Sequence, residues 1–146
     1  MAALGHHLEI QRTWRTHAGE GLVQLEDIVT NRGHALEPAL QLYHVNLGPP
    51  LWAEGSELEL DARATHPRDA DAAAFADSWN TAPALTPGAP ERVFEHEAVP
   101  SPEGWCSATV RGAGLDVEVR WDAATMPRMR RISYDMTSSR FACVQD

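Results

Sequence analysis

The run Leu115-Asp116-Val117-Glu118-Val119-Arg120-Trp121 alternates apolar and polar residues without a break. A strand puts every second side chain on one face, so this run predicts a half-buried strand. Trp105 to Val110 precedes it, and Arg111-Gly112-Ala113-Gly114 between them reads as a turn. The two segments predict an antiparallel hairpin. The same period recurs less cleanly at 6–17, 22–30, 40–47, 56–60 and 91–97, and 129–134 adds one more candidate. Ala18-Gly19-Glu20-Gly21 and Asn31-Arg32-Gly33-His34 read as turns. Seven or eight short strands separated by Gly/Pro turns predict an all-β fold, an antiparallel β-sandwich. A chain of 146 residues can bury one modest core.

The alternation fails between Asp61 and Pro90. That stretch is rich in Ala, Asp and Pro, with Phe75, Trp79 and Leu85 as its large apolar residues. Residues 61–90 are expected to form a long loop or lid, more mobile than the flanking strands. Any helix is expected within 69–79, where alanine is frequent.

Composition removes several function classes. The net charge of -9 disfavours a nucleic-acid partner, whose phosphates would be repelled. All twelve basic residues are arginine, which excludes Schiff-base chemistry on lysine and the P-loop lysine. No apolar run is long enough for a membrane helix. No secretory signal is visible in the first residues. Cys106 and Cys143 form neither a metal-type spacing nor a disulfide framework. A reduced, cytoplasmic protein is expected, with no membrane partner and no cofactor.

The candidate site lies on Leu40-Gln41-Leu42-Tyr43-His44-Val45-Asn46-Leu47, which Gly48-Pro49-Pro50 terminates. His44 and Asn46 share a parity with Leu40 and Leu42, so this face is expected to point inward or into a cleft. A histidine there is either a core residue bonded to a backbone carbonyl or an acid–base group at a strand end.

Tyr43-His44-Val45-Asn46-Leu47-Gly48 resembles a strand of the aldose 1-epimerases (galactose mutarotases). It is closer still to the Tyr-His-x-Asn-x-Gly stretch of a bacterial branch of that superfamily. Leu25 to Asn31, Pro50 to Ser56, Glu91 to Phe94 and Thr125 to Met129 follow the same branch in order, so the resemblance covers about Leu8 to Met129. It implies a galactose-mutarotase-like supersandwich, here partial, with residues 1–129 as its segment and 130–146 as a divergent tail. It also implies a sheet edge left open. The implied function is carbohydrate binding with interconversion of sugar anomers by acid–base catalysis. The implied partner is a small-molecule sugar.

By that resemblance His44 takes the position of the catalytic acid. Tyr43 and Asn46 would hold the strand end or a sugar hydroxyl. The family's catalytic glutamate lies near its C-terminus, whereas this chain has no glutamate after Glu118. Alternative readings are therefore a sugar-binding module without chemistry, or a truncated fragment.

Trp52, directly after the prolines, is the favoured ring for stacking on a sugar over Trp79, Trp105 and Trp121. Arg68 and Asp69 are candidates for bonding sugar hydroxyls, and His66 is expected to be a solvated loop residue. Glu95-His96-Glu97 reads poorly as a metal site, because alternation sends His96 to the opposite face from the two glutamates. His6, His7 and Asp27 lack any supporting pattern. No metal site is expected.

Overall fold

The computed structural model describes residues 7–84, 86–134 and 138–145, with side chains described as far as Met129. The chain divides into two compact units, Met1–Leu40 and Gln41–Asp146. The first is a hairpin of β1 (Leu8–Thr16) and β2 (Val23–Asn31), paired in unbroken antiparallel register from Leu8 opposite Asn31 to Thr16 opposite Val23. One face carries Ile10, Trp14, Leu25 and Val29. At its centre Arg12 donates from Nε and a terminal nitrogen to the two oxygens of Asp27, at 2.8 and 2.7 Å.

The second unit holds two antiparallel sheets. One has the order β3-β10-β9-β6-β5, where β3 is Gln41–Leu47, β5 Ala62–Pro67, β6 Arg92–Ala98, β9 Arg128–Tyr134 and β10 Ser138–Gln145. The other has the order β4-β7-β8, with β4 Glu57–Leu60, β7 Trp105–Gly112 and β8 Leu115–Asp122. Between them lies a core of Trp52, Leu58, Cys106, Ala108, Val110, Trp121, Met126 and Met129, with Tyr43, Val45 and Leu47 packed against it. The sandwich expected from alternation is therefore present.

The β7–β8 hairpin is the one the alternation predicts. Cys106 faces Trp121, Ala108 faces Val119 and Val110 faces Val117, so one parity of both strands meets the core. Its two-residue turn, Ala113-Gly114, has positive φ at both positions (53° and 72°), the backbone that lets a tight turn follow the twist of its strands.

Two expectations change. The face of β3 bearing Leu42, His44 and Asn46 points outward and is exposed, while Tyr43, Val45 and Leu47 turn inward. Both parities carry apolar residues, and the three-stranded sheet claims the second set. Second, the stretch 61–90 begins with a strand, β5, which pairs with β6. Its small residues give no apolar pattern, and its Pro67 suits an edge strand. Residues 138–145 form β10, which runs between β3 and β9 with paired register on both sides.

The helical expectation holds. Helix α1 (Ala70–Ala73) and a 3₁₀ turn at Ala76–Ser78 lie within 69–79. Asp69 caps α1 by accepting from the Ala72 amide at 2.9 Å. The segment is anchored by ring contacts: the Arg92 guanidinium lies 3.1 Å from the centre of the Phe75 ring, and the Trp79 and His96 rings are 4.7 Å apart. Among the described residues no helix is long and apolar enough to cross a membrane.

Candidate functional site on the outer face of the five-stranded sheet

Antiparallel pairing puts directly opposed residues on the same face. His44 is opposite Ala142, Ala142 opposite Arg130, Arg130 opposite Glu95, and Glu95 opposite His66. One row therefore crosses all five strands and carries His44, Glu95 and His66 on the outer face. The next row runs Tyr43, Cys143, Met129, His96 and Thr65. There Met129 and His96 are buried and Tyr43 is half-buried, which identifies the inner face.

The sequence candidates separate accordingly. His44 and Asn46 stand together, exposed, on β3 at the sheet's edge. Exposure rules out the core-histidine reading for His44; among the described residues the buried histidine is His96, whose Nδ1 lies 3.0 Å from the Thr65 hydroxyl. Tyr43 is on the opposite face, with its hydroxyl donating to Gln41 Oε1 at 3.5 Å.

Trp52 corrects the expectation made for it. It is 1% exposed and fills the core, so its ring has no face open to a sugar. It acts as an anchor for the loop after β3. Its amide donates to the Gly48 carbonyl at 3.0 Å, and Ser56 Oγ donates to Leu51 O at 2.8 Å while accepting from the Ala53 amide at 3.0 Å.

Arg68 is likewise committed to structure. Its guanidinium donates to Asp69 Oδ2 and Glu91 Oε2, both at 2.8 Å, clamping the helix cap to the approach of β6. These bonds hold the Arg68 pKa above its usual range. The Ala72 amide, then Arg68, hold that of Asp69 below its own. Alternation in β6 works as expected, with His96 buried and Glu97 exposed on the other face. Among the described residues no His/Cys/Asp/Glu group is arranged to hold a metal.

The outer face also has a groove of about 560 Å³ near the opposite edge, lined by Arg63, His66, Glu95, Glu97 and Arg128 among others. His66 Nε2 lies 3.7 Å from Glu97 Oε1. Arg63 and His66 are three apart, which in a regular strand sends them to opposite faces. The register of β5 shifts between Ala62 and Thr65: three steps on β5 match two on β6. That bulge resets the parity and lets Arg63 and His66 line one groove. Sequence reasoning passed over Arg63 and Arg128, because a bulge leaves no trace in an alternation already this weak.

Comparison with known proteins adds the following. A family model described as Domain of unknown function (DUF4432) matches residues 1–136. No curated protein is similar enough to match. Among solved structures, a protein from Klebsiella pneumoniae subsp. pneumoniae MGH 78578, described as a "putative aldose 1-epimerase", superposes with a TM-score of 0.91 at 18% identity. The superposition covers 95% of this chain and 38% of that one, so the chain spans well under half of the solved protein. The fold is thus that of the aldose-epimerase sandwich, present in part.

Proposed function

The chain belongs to the DUF4432 family, and on that footing we propose that it is a carbohydrate-binding, aldose-1-epimerase-like domain whose sugar site is the outer face around His44 and Asn46. The observation that carries the reading is the joint exposure of these two side chains at the end of β3, in a sheet of the aldose-epimerase fold. In anomer interconversion a base takes the proton from the anomeric hydroxyl while an acid protonates the ring oxygen. The C1–O5 bond then breaks, the open aldehyde rotates about C1–C2, and the ring closes with the roles reversed. Each group must lie about 2.6–3.2 Å from the proton it moves. His44 fits the acid role, since an imidazole can both give and take a proton. Asn46 offers both a donor and an acceptor to a neighbouring hydroxyl.

The second reading, binding without turnover, is favoured by one feature. In the row of His44 the described carboxylate is Glu95, three strands away. Three spacings of about 4.8 Å make roughly 14 Å, too far for both groups to serve one C1–O5 unit. The 146-residue chain is accordingly a weak mutarotase at best. The free, buried Cys106 is in keeping with a reduced, cytoplasmic setting.

The test is polarimetry or NMR exchange on fresh α-glucose and α-galactose, with sugar binding followed on the His44→Ala variant. Binding that collapses in His44→Ala, with anomerisation near the uncatalysed rate, is the expected result. Robust anomerisation by the chain would relocate the base. Unchanged binding in His44→Ala would remove His44 from the site.

A further inference from the structure

We infer that the groove beside β5 is a second carbohydrate subsite, built to hold vicinal hydroxyls, and that the preferred ligand is an oligosaccharide running across the sheet from His44. The inference rests on the reading of His44 as a sugar-contacting residue.

Five observations on one face carry it. The groove is a concavity of about 560 Å³, within the range of about 300–1,000 Å³ that small-molecule sites occupy. Its polar lining mixes signs, Arg63 and Arg128 with Glu95 and Glu97, and His66 Nε2 lies 3.7 Å from Glu97 Oε1. Arg63 reaches it only because of the bulge in β5, and bulges of this kind re-aim side chains next to binding sites. Its charged groups stand on paired strands, so the backbone fixes their spacing. Glu95 and His66 are in the same row as His44, so groove and strand end open on the same side of the sheet.

The charge pattern selects the ligand class. A phosphate or carboxylate would face two glutamates, and a metal or ammonium ion would face two arginines. An apolar ligand would strip water from five polar side chains and return no bonds. A neutral polyol meets none of these costs. Its hydroxyls donate to the carboxylates and accept from the guanidiniums, and such charge-assisted bonds are the strong ones.

Geometry then sets the length. From β3 to β6 is roughly 14 Å and to β5 roughly 19 Å, at about 4.8 Å per strand. That exceeds one pyranose ring and suits a chain of two or three sugars laid across the strands.

The experiment is calorimetric or NMR titration of the full chain with glucose, galactose, lactose, maltotriose and cellotriose. The wild type is compared with Arg63→Ala, Glu97→Gln and His44→Ala. Arg63 and Glu97 are both exposed, so these variants keep the fold, and a thermal melt checks this. The expected result is at least one oligosaccharide binding about tenfold or more tighter than any monosaccharide. Arg63→Ala and Glu97→Gln should each remove about tenfold from that affinity, the weight of one charge-assisted bond, and leave monosaccharide binding unchanged.

Equal affinity for monosaccharides and oligosaccharides would overturn the proposal and leave the His44 reading standing. So would oligosaccharide binding indifferent to both groove variants. Oligosaccharide binding lost in the groove variants but untouched by His44→Ala would keep the subsite and sink the His44 reading. No binding by any of the five sugars would overturn both.

Discussion

A methyl group added at Gly112 should destabilise the second unit more than any other single alanine substitution in its turns. An ideal Cβ there would lie 1.9 Å from the Leu51 carbonyl oxygen and 2.6 Å from Ser56 Oγ. Ordinary contact begins near 3.4 Å, so the backbone of the loop after β3 must retreat by more than an ångström. The retreat is resisted on both sides. Leu51 O accepts from Ser56 Oγ at 2.8 Å, and the next residue, Trp52, is locked in the core at 1% exposure.

Overpacking of this kind costs about 1–3 kcal/mol. Breaking the Ser56 bond in a buried setting adds about 1–3 kcal/mol. The sum, about 2–6 kcal/mol, is a large part of a typical stability of about 5–15 kcal/mol. At about 2–4 °C per kcal/mol it lowers Tm by roughly 4–24 °C. The assay is a circular-dichroism melt with a parallel urea titration. Gly114→Ala serves as control, because its Cβ meets nothing within 4 Å and only the positive φ of 72° opposes it. That strain is about 1–2 kcal/mol. A Gly112→Ala protein melting no lower than Gly114→Ala would refute the close approach of Gly112 to Leu51.

Ala113 holds φ 53° without a side-chain hydrogen bond to support it. Ala113→Gly, or Ala113→Asn, should raise stability by about 0.5–1 kcal/mol, read as a higher urea midpoint at unchanged slope. Asp69 has its pKa held down in the folded state by the Ala72 amide and then Arg68. Its contribution is therefore complete above the ordinary aspartate value and is lost as pH falls through the lower, folded value. Asp69→Asn keeps a capping oxygen but should flatten this acid limb, and melts from about pH 2 to pH 6, across the carboxylate range, check it.

Elements whose two faces differ in polarity were legible. Leu115 to Trp121 could turn only one way, and the structure turns it so. β3 could not be oriented from its sequence: Leu40 and Leu42 argue for one face, Val45 and Leu47 for the other. Only the neighbouring sheet, assembled from residues far away in sequence, breaks that tie. β5 was invisible because Ala62-Arg63-Ala64-Thr65-His66 has no large apolar residue. It is a strand because β6 offers it a ladder, a tertiary override of weak propensity. Trp52 misled for a related reason. Prolines before it suggested an exposed loop, but loops can be pinned by one buried ring, and its two hydrogen-bonded neighbours cannot be read from spacing. Strand parity ahead of the Gly-Pro-Pro stop points to His44 and Asn46, the resemblance implies their roles, and the structure supplies their exposure. The groove needed a bulge, a register event that exists only between two strands.

The strand carrying His44 ends the order of its sheet, and this position makes it a template. A terminal strand keeps one ladder of amides and carbonyls facing outward, ready to anneal with extended chain. Any strand that anneals there brings a new row of side chains about 4.5–5.5 Å from those of β3. A carboxylate on such a strand, placed opposite His44, would be far closer to it than Glu95. On the proposed reading of His44, the group that shares its proton would then come from whichever backbone pairs with that edge of β3.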